Sequence, residues 1–101
     1  MAAAERRAFP RRKVPPGSYA WFPEGASAIA DLSLGGVRVD DPEPLLVGTR
    51  LKMRLHVAEA MISCTGVVRR TVSNQCMGIQ FAEFPEGERS RLHALLFRLE
   101  H

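Results

Sequence analysis

Apolar and polar residues alternate along most of this chain, which is the pattern of strands with one buried and one solvent-facing side. The clearest case runs from Arg50 to Val57, where every second residue is apolar and the others are basic or histidine. The same alternation predicts strands over residues 18–22, 26–32, 37–39, 60–70 and 75–82. The last two form a predicted hairpin across the polar turn from Thr71 to Asn74. The chain is therefore expected to be mainly β.

The period of the pattern changes after Pro85. Leucines at positions 92, 95, 96 and 99 follow the spacing of one helix face, and Glu86 and Glu88 suit the first turn of that helix. This pattern predicts an amphipathic C-terminal helix over about residues 86–100. Six short antiparallel strands and one helix predict a small β-barrel with the helix packed against it.

Positive charge is concentrated at the N-terminus. Residues 1–13 hold five basic side chains and one acid, a net charge of +4, whereas residues 14–101 carry −1, which gives +3 for the chain. Pro10 and the sequence Pro15-Pro16-Gly17 interrupt regular structure in and after this segment. We therefore expect a flexible basic arm, residues 1–13, joined to one barrel domain, residues 14–101. Such an arm attracts anions.

Composition argues against several classes of protein. No apolar run approaches the length of a membrane span and no secretory leader is visible, so a cytoplasmic protein without membrane insertion is predicted. Cys64 and Cys76 are expected to be free thiols, because their spacing matches no metal-binding or redox motif. The histidines have no ligand spacing, and no residue stands in a recognisable nucleophile or acid–base arrangement. We therefore expect no metal site, no catalytic residue and no enzymatic activity.

The first of two chemically informative motifs is an arginine cluster in the basic arm, formed by Arg6, Arg7 and Arg11. Guanidinium groups bind phosphates and the O6/N7 edge of guanine through paired N–H donors. The four residues from Arg7 to Arg11 span about 13 Å when extended. The cluster can therefore contact different parts of one dinucleotide.

The second motif is the polar turn from Asp31 to Gly36. Asp31 and Ser33 are two residues apart at a strand end, so we expect them to project to one face. A carboxylate accepts hydrogen bonds from guanine N–H groups, and a hydroxyl can donate or accept. Gly35 and Gly36 can adopt a positive φ and admit a ligand close to the backbone. The alternative is an ordinary loop in which Asp31 or Ser33 bonds its own backbone.

Together the two motifs resemble the signature of the PilZ domain, RRxxxR followed by [D/N]xSxxG, with every position present. Gly78 to Phe81 also resembles the last core strand of that family. The resemblance implies a six-stranded split barrel with a C-terminal helix that acts as a bacterial receptor for cyclic di-GMP, with no other cofactor. It implies a downstream protein partner and an output in motility, biofilm formation or virulence. The ligand-binding residues that it implies are Arg6, Arg7, Arg11, Asp31, Ser33 and Gly36.

Two other functions stay open. A PilZ-like adaptor with weak or no nucleotide binding would act by protein contact, through the leucine stripe Leu92–Leu99 or the basic strand face Arg50–His56. A small basic barrel could instead bind nucleic acid, which calls for aromatic residues alternating with basic ones on an exposed face. The basic strand face carries no aromatic residue, so DNA or RNA is not expected. Trp21 is interpreted as a core or rim residue, and the residues interpreted as core are Phe81, Phe84 and Phe97.

Overall fold

The computed structural model of the protein describes residues 9–100. Seven strands and one helix follow one another along this part of the chain. The strands are β1 (Arg12–Lys13), β2 (Tyr19–Phe22), β3 (Gly25–Leu32), β4 (Gly36–Asp40), β5 (Arg50–Val57), β6 (Ala60–Val72) and β7 (Cys76–Glu83), and the helix is α1 (Glu88–Glu100).

Six of these strands close into an antiparallel barrel. β2 pairs with β5, β5 with β6, β6 with β7 and β7 with β4. β3 closes the ring because its first half, residues 25–28, pairs with β2 and its second half, residues 29–32, pairs with β4. The predicted six-stranded barrel with a C-terminal helix is confirmed.

The two-residue strand β1 was not expected from the sequence, because two residues carry no alternation. It pairs with the end of β3, where Arg12 lies opposite Leu32 and Lys13 opposite Asp31. The side chain of Arg12 also contacts the far end of the chain, since its Nη2 donates to Oε1 of Glu100 at 2.9 Å. The end of the basic segment is thereby held between β3 and the last turn of α1.

The alternating apolar residues fill the barrel interior, and the helix packs against the same core. Leu92, Leu95 and Leu96 are buried with the strand residues, so the leucine stripe is internal and is not available for docking a partner. The prediction that Phe97 belongs to the core is wrong, because the residue lies on another side of α1 and is 60% exposed. No helix within residues 9–100 is long and apolar enough to cross a membrane.

Both cysteines are free thiols, as predicted, and neither is fully exposed. Cys64 is buried, and burial, with a smaller contribution from the nearby Glu88 carboxylate, raises the pKa of its thiol to about 12. Glu88 is held at this place because its Oε1 accepts a hydrogen bond from the backbone N–H of Ser63 at 3.1 Å. Since the thiolate is the reactive form, Cys64 is chemically inert near neutral pH.

Candidate ligand-binding site

The polar residue at the centre of the site, Asp31, is turned outward by an irregularity in β3. In the pairing of β3 with β4 the register shifts between Ile29, opposite Val39, and Asp31, opposite Arg38. Residues two apart on a regular strand share a face, so Ile29 and Asp31 would otherwise point the same way. The shift instead buries Ile29 in the core and leaves Asp31 partly exposed. A bulge of this kind re-aims one side chain without breaking the barrel.

The carboxylate of Asp31 holds two guanidinium groups. Its Oδ1 accepts a hydrogen bond from Nη1 of Arg11 at 3.1 Å, and its Oδ2 lies 2.9 Å from Nη2 of Arg38. The side chain of Asp31 is 14% exposed, whereas those of Arg11 and Arg38 are 64% and 48% exposed. Two accessible cations therefore share one largely buried carboxylate.

Arg38 was not among the predicted site residues. From the sequence it is an ordinary outward residue of the strand that returns after the polar turn. Its importance comes from the pairing of β3 with β4, which puts Arg38 directly opposite Asp31. Cross-strand neighbours are close enough for opposite charges to interact. Working out the hairpin register around the turn would have found this pair from the sequence.

One residue of the arginine motif, Arg11, lies beside the polar turn. Arg11 reaches Asp31, and the ring of Phe9 packs over the turn, where a Cβ added to Gly35 would lie 3.0 Å from the ring's Cδ2. Arg6 and Arg7 lie outside the described residues. Within the described part, the motif segment is thus in contact with the turn.

Ser33 fixes the conformation of the turn through hydrogen bonds with the backbone of Gly35 and Gly36. Its N–H donates to the carbonyl of Gly36 at 2.9 Å, and its Oγ accepts from the N–H groups of Gly35 at 3.1 Å and Gly36 at 3.2 Å. The hydroxyl proton has a poor partner, since the Gly36 carbonyl lies 3.4 Å away. With its acceptor positions used, Ser33 can offer a ligand a donor. That chemistry suits a phosphate oxygen or a guanine O6 or N7.

Gly36 is required by the packing of strands. A Cβ at this position would collide with the carbonyl oxygen of Ile79 in β7, where Gly36 lies opposite Gln80. Neither Gly35 nor Gly36 adopts a positive φ, so the expected conformational reason for these glycines is wrong. The close approach of β4 to β7 explains Gly36, and its contact with a ligand stays a prediction.

A second basic surface lies on β5, and it carries aromatic side chains that the sequence did not place there. Tyr19 lies opposite His56 and Trp21 opposite Arg54, because β2 pairs with β5. The Tyr19 and His56 rings stack with centroids 4.4 Å apart, and the Arg54 guanidinium lies 5.3 Å from the centre of the Trp21 ring. Trp21 is 41% exposed, so it is a rim residue. The interpretation that this face lacks aromatic residues is therefore wrong. We call these four residues the aromatic–basic face.

No metal centre accompanies either surface in the part of the chain that the structure describes. Residues 9–100 contain no group of three or more His, Cys, Asp or Glu side chains arranged to hold a metal ion. The Asp31 site offers hydrogen-bonding and charged groups. It combines one acceptor carboxylate, one hydroxyl donor and at least two guanidinium groups.

Comparison with solved structures shows that this fold is shared by distant proteins. The chain is similar to an uncharacterised Legionella protein, with a TM-score of 0.70 and 20% identity over 89% of this chain and 92% of that one. It is similar to the PilZ domain of YcgR from Escherichia coli, solved with c-di-GMP, with a TM-score of 0.75 and 18% identity over 94% and 92% of the two chains. It is also similar to a structure of YcgR from Escherichia coli in complex with c-di-GMP, with a TM-score of 0.77 and 18% identity. This match covers 94% of this chain and 46% of YcgR, so the chain spans about half of that protein.

Sequence comparison assigns the family. No curated protein sequence matches the chain. The family model of the PilZ domain matches residues 5–98, which includes both motifs and all six barrel strands. The chain belongs to the PilZ domain family.

Proposed function

We propose that the protein is a cytoplasmic receptor for cyclic di-GMP and has no catalytic activity. The observation that carries this proposal is the Asp31 carboxylate, which lies among guanidinium groups beside a rigid turn. A guanine ring presents N–H donors on one edge and the acceptors O6 and N7 on another. A carboxylate and nearby arginines complement these two edges. The remaining positive charge complements the two phosphates of the ligand.

Each motif residue has a distinct role in this proposal. Asp31 accepts hydrogen bonds from the ring N–H and the 2-amino group of one guanine. Ser33 donates its poorly used hydroxyl proton to the ligand. Arg6, Arg7 and Arg11 bind phosphates and guanine edges through paired N–H donors or stack on a purine face.

We propose that ligand binding orders the N-terminal arm and that the ordered arm is the signal. The contacts of Phe9 and Arg11 with the turn support the proposal that this arm covers the ligand. Ordering of the arm costs conformational entropy, which the charge-assisted contacts with the ligand must exceed. Arg12 connects the arm to Glu100, so a rearranged arm changes a surface that includes the end of α1. A protein partner that distinguishes the two surfaces would transmit the signal.

Calorimetric titration tests the receptor proposal. The ligand is cyclic di-GMP, with GTP and the linear dinucleotide as controls, and the proteins are the wild type and Arg7→Ala. We expect saturable binding with Kd at or below about 10 μM, roughly 7 kcal/mol, and its loss in the variant. NMR relaxation of the amides of residues 5–13 tests the arm. No binding heat and no thermal shift at high ligand concentration would overturn the proposal.

A protein-binding adaptor is the second candidate, and the aromatic–basic face favours it. Tyrosine, tryptophan and arginine are enriched in the residues that dominate protein interfaces. Lys52, on the same strand as Arg54, has no ion-pair partner among residues 9–100, so an acidic partner surface would complement this face. Partner binding that survives Arg7→Ala but is lost in Trp21→Ala would favour the adaptor. Steeply salt-dependent binding of single-stranded oligonucleotides, indifferent to Asp31→Ala, would favour a nucleic-acid-binding barrel instead.

A further inference from the structure

The two ion pairs of Asp31 create a conflict with ligand recognition. Guanine offers two neighbouring donors, the ring N–H and the 2-amino group, which match the two oxygens of one carboxylate. In the structure each oxygen already has a guanidinium partner, Arg11 at Oδ1 and Arg38 at Oδ2. A guanine edge that binds Asp31 must therefore share each oxygen with a guanidinium group or displace one of these groups.

The surroundings of the two arginines show which contact can rearrange. Arg38 belongs to β4, which pairs with β3 on one side and β7 on the other, and it lies directly opposite Asp31. Arg11 precedes the two-residue strand β1 and is the more exposed of the two. Within residues 9–100, Asp31 is its one side-chain polar partner. Breaking the Arg11 contact therefore disturbs little of the fold.

We infer that Arg38 is a positioning residue of the ligand site, and that guanine displaces Arg11 from Asp31 while Arg38 stays bound. This inference rests on the proposed function. An ionised carboxylate has about four lone-pair positions, so Oδ2 can accept from Arg38 and from guanine together. The vacated Oδ1 accepts the second guanine donor, and the released Arg11 becomes available to a phosphate. One exchange thus supplies both an acceptor and a cation to the ligand.

The exchange gives Arg38 a role in base selectivity. While Arg38 holds Oδ2, the carboxylate keeps one orientation and cannot turn both oxygens toward Arg11. The lone-pair positions that Arg38 does not use then stay available to the guanine donors. Without Arg38, Arg11 can bind both oxygens at once and compete with the ligand. Loss of Arg38 should therefore weaken both the recognition of the guanine 2-amino group and the overall affinity for cyclic di-GMP.

Titrations of Arg38 variants test the positioning role. We compare the wild type, Arg38→Ala, Arg38→Lys and Lys52→Ala, with cyclic di-GMP and with cyclic di-inosine monophosphate, which lacks the 2-amino group. We expect Arg38→Ala to weaken cyclic di-GMP binding about tenfold, as for loss of one charged hydrogen bond. The variant should also show a smaller preference for cyclic di-GMP over the inosine analogue. Arg38→Lys should restore part of both. Lys52→Ala removes the same charge from β5 and should change neither the affinity nor the preference.

The displacement of Arg11 has its own readout. Arg11→Ala removes a competitor of the ligand as well as a ligand contact, so it should weaken binding less than Arg7→Ala does. NMR of the Asp31 carboxyl carbon should show a changed environment on binding in the wild type and a smaller change in Arg11→Ala. If the wild type binds and Arg38→Ala keeps the same affinity and base preference, the inference is overturned. If the wild type does not bind cyclic di-GMP at all, the proposed function itself fails, and the inference with it.

Discussion

The two basic surfaces of the barrel differ in what their cations contact. At the end of β3, Arg11 and Arg38 share the carboxylate of Asp31. On β5, Arg54 lies over an aromatic ring, and Lys52 has no ion-pair partner among residues 9–100. Positive charge attracts an anion to either place, but only the first surface adds a fixed acceptor that complements the N–H donors of guanine. The largely buried acid, rather than the number of basic residues, distinguishes the first surface from the second.

The largest predicted effect is the loss of cyclic di-GMP affinity when the acid at the first surface is removed. A charge removed from the second surface should have almost no effect. Asp31→Ala deletes the acceptor for two guanine donors and should weaken cyclic di-GMP binding by about 3 kcal/mol, roughly a hundredfold. Lys52→Ala should change the Kd less than about twofold at physiological salt, because an exposed charge away from the site is largely screened. Calorimetry measures both. Equal losses in the two variants would mean that charge alone determines binding.

A smaller effect tests whether the turn beside Asp31 depends on strand packing. Gly36→Ala should lower the free energy of unfolding by about 1–3 kcal/mol, because the added methyl group collides with the Ile79 carbonyl. Gly78→Ala is the matched control in β7, since its Cβ would make ordinary contact, 3.6 Å from Cβ of Arg70. Urea denaturation of both variants gives the comparison. A stable Gly36→Ala protein that fails to bind ligand would instead indicate that the glycine is needed for contact with the ligand.

The smallest effect concerns the stability contributed by the aromatic–basic face. Trp21→Ala should lower the free energy of unfolding by less than about 1 kcal/mol, since the ring is exposed and its contact with Arg54 is a surface cation–π pair. The adjacent Phe22→Ala should cost about 3–5 kcal/mol, because that ring is buried in the core. Thermal or urea unfolding distinguishes the two. A large loss in Trp21→Ala would make this face part of the structural core and argue against a docking role.

The sequence predicted the parts of this molecule that depend on local pattern. β5 spans Arg50–Val57, as expected, because eight residues of strict alternation define a half-buried strand. The leucine spacing likewise predicted α1 with a start two residues from the observed Glu88. That both motifs contribute to one ligand site stays a prediction, which the contact of Arg11 with Asp31 supports.

The features that were missed depend on pairing between distant or very short segments. The aromatic–basic face exists because β2 pairs with β5, and no local pattern encodes that pairing. The role of Ser33 in its own turn was weighed as an alternative, and it is present in the structure. Arg38 is a different case, because its place opposite Asp31 follows from the hairpin register around the polar turn.

The ion pair between Arg12 and Glu100 has a practical consequence for building a sensor from this domain. It brings together two residues that lie 88 positions apart in the sequence and lets the arm touch the last turn of α1. A fluorescent reporter attached after Glu100 would therefore lie beside the arginine arm, although all the barrel strands come between the arm and the reporter in the sequence. A rearrangement of the arm of the kind proposed above would alter the surroundings of the dye and change its emission.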